Sequence, residues 1–211
     1  MAHRINNELA SVIGRASLIA ARSSSDDVKT ALAAVTRILH HCADVHRALE
    51  MPAHSSMIDA SSYIRTLCQS IKRARLDDKG IELVLVVRPV QMRSENCWRL
   101  GMIVSELITN SVRHAFDGPG GTIRVELSAS GPYVQCCVMD NGSGRNCGTP
   151  GQGLKIVKAL ARELNGQIVH RFAADGALSM LMFPLGGEAP QPEWASWVDD
   201  EQWGGRKFVA S

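Results

Sequence analysis

Glu106-Leu107-Ile108-Thr109-Asn110-Ser111-Val112-Arg113-His114 decides how this chain is read. Its apolar residues Leu107, Ile108 and Val112 follow a helical period, and Glu106, Asn110, Arg113 and His114 fall at spacings of four, three and one. Positions i and i+4 share a helix face, so a carboxylate, a carboxamide and a basic group can converge beside a polyphosphate and its metal. Taken alone, the pattern also fits a solvated helix face.

Two segments downstream narrow the choice. In Val138-Met139-Asp140-Asn141-Gly142-Ser143-Gly144 an apolar strand runs straight into an aspartate and two alternating glycines. A carboxylate at a buried strand end costs free energy unless it is paired, and the exocyclic amine of a purine is a suitable donor. Glycines let the backbone approach a ligand closely, although Asp-Asn-Gly is also an ordinary hairpin turn. After Arg145 to Pro150, Gly151-Gln152-Gly153-Leu154-Lys155 opens a helix. Free N–H groups and the positive dipole end at such a start attract phosphate. Each segment is weak by itself; their order and separation make the set specific.

Working outward, the order of elements is mixed. Ile58 to Leu76 reads as a helix, Ile81 to Val87 as a strand closed by Pro89, and Trp98 to Phe116 as a helix. Thr122 to Leu127 and Tyr133 to Met139 form a hairpin, and Leu154 to Leu164 a helix stopped at Asn165-Gly166. Gln167 to Phe172 and Leu178 to Phe183 supply the last strands. Without strict strand–helix alternation, the expected class is α+β, an α/β sandwich with helices on one sheet face.

Upstream, Ile5, Leu9, Val12, Ala16 and Ile19, then Val28, Leu32, Val35, Leu39, Cys42 and Leu49, recur in steps of mostly four and three. These are narrow apolar seams of a helical hairpin, with Ser23 to Asp27 supplying cap residues between them. One hairpin cannot bury both seams, so a homodimeric four-helix bundle is expected. The expected divisions are 1–54, the helical hairpin; 55–185, the sandwich; and 186–211, a linker and a tail bearing Trp194, Trp197 and Trp203.

A balance of 23 basic against 21 acidic residues, net +2, gives no nucleic-acid footprint. The sequence has no membrane-spanning run and no secretory layout, so a soluble, cytoplasmic chain is expected. Six cysteines without a C-x-x-C pair read as packed thiols rather than metal or redox groups.

The set Glu106/Asn110, Asp140-x-Gly142-x-Gly144 and Gly151-x-Gly153-Leu154 resembles the N box and glycine boxes of GHKL (Bergerat) ATPases, the fold of histidine kinases, gyrase B and MutL. Glu-Leu-Ile-Thr-Asn-Ser-Val-Arg-His-Ala-Phe is similar to bacterial sensor histidine kinases of the HWE-like subfamilies, and His3-Arg4-Ile5-Asn6-Asn7-Glu8-Leu9 to their phosphoacceptor motif. The resemblance covers roughly residues 1 to 185. It implies that 1–54 carries dimerisation and the phosphoacceptor and that 55–185 binds ATP. It implies that Asn110 ligates Mg2+, that Glu106 is a polar or general-base group beside the phosphates, and that Arg113 and His114 help hold those phosphates. Asp140 would accept from the adenine amine, while Gly142, Gly144, Gly151, Gly153 and Leu154 shape the pocket and its lid. Lys155 is either a phosphate contact or a solvated first-turn lysine.

Among the histidines, His3 lies about 160° from the seam of its helix at 100° per residue and is the expected phosphoacceptor, whereas His46 falls on its seam and reads as an interface residue. The implied activity is autophosphorylation followed by transfer to an aspartate of a response regulator receiver domain. A histidine phosphotransferase without ATP activity and a GHKL serine kinase or anti-sigma-type binding module are the alternatives. Intact Asn110, Asp140 and paired glycines oppose the first, and the histidine-bearing hairpin opposes the second. No sensor region is evident, so the signal is expected from residues outside this sequence or from a separate protein.

Overall fold

The computed structural model of the chain describes residues 2–50, 56–143, 152–173 and 175–186, with residues 2–6 and 152 described by backbone alone. Both N-terminal helices are present, α1 over Ala2–Arg22 and α2 over Asp26–Ala48, packed side by side. Ser25 caps α2 by accepting from the Val28 N–H at 3.4 Å, and Asp26 and Asp27 occupy the first turn at the positive end of the helix dipole. Along the seam Ala16 is buried, but Val12 (51%), Ile19 (57%), Val28 (41%) and Val35 (48%) keep much of their surface exposed.

Toward its end, α2 changes partner. Val45 enters the core of the following unit, and Trp98 Nε1 donates to the Leu49 carbonyl at 2.7 Å. His46, on the seam, is exposed within the single chain like Val12, Ile19, Val28 and Val35, while α2 here also packs on the next helix and buries Ala43 and Val45.

The next helix, α3, spans Ala60–Ile71 rather than starting at Ile58. Met57–Asp59 forms a short strand, β1, antiparallel to β3 at Gln91–Arg93. Three-residue strands are too short to show a period of two in sequence. Asp59 sets the boundary by capping α3: its carboxylate accepts from the Ser61 N–H at 3.0 Å and from the hydroxyls of Ser62 and Ser61 at 2.8 Å each. These bonds, Ser62 foremost, hold the Asp59 carboxyl down at about 2. Past α3 a π turn at Lys72–Leu76 and a 3-10 turn at Asp77–Lys79 bury Leu76 and deliver the chain into β2, Glu82–Val87.

The remaining elements are α4 (Ser94–His114), β4 (Thr122–Ser130), β5 (Tyr133–Asp140), α5 (Gln152–Glu163), β6 (Gln167–Ala173) and β7 (Gly176–Pro184). The main sheet has the order β2-β4-β5-β7-β6, parallel at β2/β4 and antiparallel elsewhere. The register sets Ile123, Val125 and Leu127 opposite Asp140, Val138 and Cys136 on one face. That face packs on the buried stripes of α3 (Ile64, Leu67, Ile71), α4 (Leu100, Ile103, Val104, Ile108) and α5 (Val157, Ala161). The expected α+β sandwich is therefore the observed one. As read from sequence, α5 stops at Asn165-Gly166: Asn165 takes the left-handed conformation (φ 53) and the Gly166 N–H donates to the Ala161 carbonyl at 2.8 Å.

Cys68 and Cys97 are buried, and burial pushes their thiols up to about 12; Cys136 is also raised by burial. They pack as small hydrophobes. Among the described residues no helix is long and apolar enough to cross a membrane.

Gly101 in the middle of α4 has a packing reason. A Cβ there would stand 2.5 Å from the Tyr63 hydroxyl oxygen and 2.6 Å from Tyr63 Cε1, and this buried hydroxyl has no hydrogen-bond partner among the described residues. Alanine improves helix propensity by about 1 kcal/mol, whereas overpacking costs about 1–3 kcal/mol. Gly101→Ala is therefore expected to lower the urea midpoint, and Tyr63→Phe to leave it unchanged or raise it by removing an unpaired buried hydroxyl. A Gly101→Ala protein as stable as the parent would show that Tyr63 yields freely.

Candidate functional site

Asp140 ends β5 with only 3% of its surface exposed. Its Oδ1 accepts from the N–H groups of Gly142 and Ala177, each at 3.2 Å, and its Oδ2 from the Ser111 hydroxyl at 2.6 Å. These donors come from three places: the turn after β5, the start of β7 and the last turns of α4. A carboxylate has about four lone-pair sites, so among the described residues one acceptor position on Oδ2 is left without a donor. That spare acceptor fits a single N–H donor such as an adenine amine.

The surrounding backbone is tight. A Cβ on Gly142 would run into the Ala115 carbonyl, and the Ser143 N–H donates to that same carbonyl at 2.9 Å. Gly176 has φ 148, a region L side chains rarely adopt, and a Cβ there would strike the Asp140 carbonyl oxygen. Asn141 braces β4, its Oδ1 accepting from the Thr122 N–H at 2.7 Å. The Asp-Asn-Gly turn thus joins β5 to α4 and β4.

On α4, Glu106 and Asn110 are half-buried one turn apart, while Arg113 and His114 are exposed at the helix end and do not join the Asp140 bonds. The start of α5 lies against Glu106: a Cβ on Gly153 would collide with Glu106 Oε1. A carboxylate at a helix N-terminus is favoured by the helix dipole. Leu154 is half-buried and Lys155 exposed. Arg99 ties α4 to α5 by an ion pair with Glu163 at 2.9 Å. Gly144 and Gly151 lie outside the described residues, and of His3 only the backbone, within α1, is described. Among the described residues no group of three His, Cys, Asp or Glu could hold a metal alone. The neutral amide oxygen of Asn110 can serve a hard cation only together with oxygens from another source, which suits Mg2+ carried on phosphates.

Sequence reasoning found Asp140 and Gly142 but missed Ser111, Ala177, Gly176 and Ala115. Their roles arise from elements distant in sequence; Gly176, at the start of β7, is the one with a local signal.

Residues 64–180 match the family model described as "Histidine kinase-like ATPase domain", and residues 1–75 the one described as "Histidine kinase". Among curated proteins, the chain is 26% identical over 193 residues to sensor histidine kinase PdtaS of Mycolicibacterium smegmatis, covering 87% of this chain and 38% of that protein. It is 25% identical over 195 residues to blue-light-activated histidine kinase 2 of Erythrobacter litoralis, covering 87% of this chain and 55% of that protein. The chain thus spans between 38% and 55% of the length of these curated relatives. In structure, it resembles the histidine kinase domain of an Erythrobacter litoralis blue-light activated kinase, with TM-score 0.59 at 18% identity, covering 87% of this chain and 96% of that one. Full-length ShkA in complex with AMPPNP is similar at TM-score 0.55 and 19% identity, covering 90% of this chain and 45% of that one. With a helical hairpin leading into a sheet whose central strand ends on a buried aspartate, the chain belongs to the histidine kinase family and carries a histidine kinase-like ATPase domain over residues 64–180.

Proposed function

We propose that this chain is an ATP-dependent autokinase in which residues 55–185 bind Mg-ATP and His3, within a dimer built on residues 1–54, receives the γ-phosphoryl group. The observation that carries this reading is the one spare acceptor on buried Asp140, between α4 and the strand ends. Adenine offers an exocyclic N–H donor to that oxygen, where guanine would turn a carbonyl toward it. The AMPPNP in the ShkA complex also supports an adenine nucleotide.

Asp140 orients the base, and Gly142 and Gly144 keep side chains off it. Asn110 faces the cation, and Glu106 stands at the start of α5, beside the phosphates. Arg113, His114 and Lys155 neutralise phosphate charge, while Gly151, Gly153 and Leu154 form the lid that excludes water. Mg-ATP supplies the phosphoryl group and a cation that draws charge from the leaving phosphates, so the protein's part is mainly positioning and electrostatics. An imidazole nitrogen of His3 attacks the γ-phosphorus in line as the bond to the bridging oxygen breaks. ADP leaves, and the phosphohistidine then passes its phosphoryl group to an aspartate of a response regulator receiver domain in the cytoplasm.

Incubation with γ-labelled ATP and Mg2+ tests the reading: acid-labile label is expected on the parent and absent from His3→Ala and Asn110→Ala, both with unchanged circular dichroism. Label persisting on Asn110→Ala would sink the pocket assignment, and label persisting on His3→Ala the acceptor. Asp140→Asn tests the base contact, with the Ser111 hydroxyl able to turn and accept from the new amide. Its Oδ1 can still take the Gly142 and Ala177 N–H groups, but the other position becomes a donor facing the adenine amine. Calorimetry should show ATP affinity lower by about 10- to 100-fold, roughly 1–3 kcal/mol. A parent that binds GTP as tightly as ATP would argue against this role.

The exposed seam supports the dimer. Leu39 is half-buried on it, and Leu39→Glu would set an unpaired charge inside the bundle. Light scattering is expected to find the parent dimeric at micromolar concentration and the variant monomeric; a monomeric parent would refute the bundle.

A further inference from the structure

The sheet has a second face, and its chemistry is unusual for an outer surface. Buried Leu181 and Phe183 of β7 alternate with Leu178, Met180 and Met182, which point away from the helices. The register sets Met180 beside Cys137 of β5 and Val169 of β6, and Leu178 beside Met139. An antiparallel sheet with one face on the core normally carries polar residues on the other. Here the three successive outward positions of β7 are all apolar, and among the described residues α3, α4 and α5 lie on the opposite face. On the same face the Gln135 amide donates to Met180 Sδ at 3.4 Å and Cys137 Sγ at 3.5 Å, and Gln167 and Arg171 of β6 stand beside Met182 and Leu178 at the rim.

The chain's own continuation has matching chemistry. Residues 187–211 carry three of the four tryptophans, Trp194, Trp197 and Trp203. They follow the end of β7, where the Leu185 N–H is held by the Pro132 carbonyl at 2.8 Å, so the chain departs from the Met182 end of the strand. The stretch from Gly186 to Trp194 can span up to about 26 Å when extended. The distance along β7 from Met182 to Leu178 is only about 13 Å. Trp194 and Trp197, three apart, can share one face of a helical turn. Methionine side chains adapt to flat aromatic surfaces and their sulfurs make favourable contacts with ring edges.

We propose that residues 187–211 fold back over the outer face of the sheet and seat Trp194 and Trp197 on the patch of Met139, Leu178, Met180 and Met182. The patch lies across the sheet from the helices, so docking there leaves Glu106 and Asn110 uncovered.

The test uses the full chain labelled with 13C at the methionine methyls. Ring currents should displace the Met180 and Met182 methyl signals upfield, and the displacement should vanish in Trp194→Ala/Trp197→Ala. The signals of Met92 and Met102, on the helix side, should stay in place and report that the fold is intact. Met180→Lys, which sets a charge in the middle of the patch, should shift tryptophan emission to the red while the circular dichroism stays that of the parent. Identical Met180 and Met182 signals in parent and double variant would overturn the proposal. So would a displacement that appears only at high protein concentration, which would assign the patch to a second copy, or one seen only after a separate protein is added.

Discussion

A carboxylate buried at the end of a strand is the constraint around which this molecule is arranged. Removing Asp140 from water costs several kcal/mol unless hydrogen bonds replace its hydration. The replacements come from Ser111 on α4, the Gly142 turn after β5 and Ala177 at the start of β7. Meeting all three at once sets the axial position of α4 against the sheet. Asn110 adjoins Ser111, and Glu106 is one turn earlier, so the same bonds that satisfy Asp140 hold the polar stripe of α4 at the strand ends. Glycine at 142 and 176 follows from the same crowding, since a side chain at either would meet a backbone carbonyl.

The hydrophobic layer supplies the stability on which that polar arrangement rests. Ile103, Val104 and Ile108 of α4 lie over Val125, Val138 and Leu181 of the sheet, all but dry. Burial on this scale, at about 25 cal/mol per Å2 of apolar surface, offsets the ordering of the loops around the site. The helical hairpin is joined to this layer by more than its linker. Val45 enters the core and Trp98 binds the Leu49 carbonyl. Trp98 lies on α4, the helix that carries Asn110, so a displacement at the end of α2 must either break that hydrogen bond or load the helix of the candidate nucleotide site.

Local pattern was sufficient wherever an element is long and faces two environments. The four-and-three steps of α1 and α2, the capping serine and aspartates between them, and the Asn165-Gly166 stop each report a physical requirement met within a few residues. The glycine at 142 after β5 was legible for the same reason, because a close backbone approach demands glycine whatever the rest of the chain does. The strands β1 and β3 were not legible, since three residues carry no period and their pairing joins positions 57 and 93. The second contact of α2 was not legible, because seam periodicity assumes one partner along the whole helix and the end of α2 also packs on α3.

What the sequence by itself determined about this protein is its set of candidate site residues: an acid before a glycine turn, a carboxylate and a carboxamide one helical turn apart, and a histidine near the start of a seamed helix. Only the tertiary structure decided which groups satisfy that acid and which face of the sheet is left apolar. Hydrogen-bond partners such as Ser111 and Ala177, 66 positions apart, and the parallel pairing of β2 with β4 arise when the hydrophobic face closes over α4. Short-range propensity carries no information about contacts made at that distance along the chain.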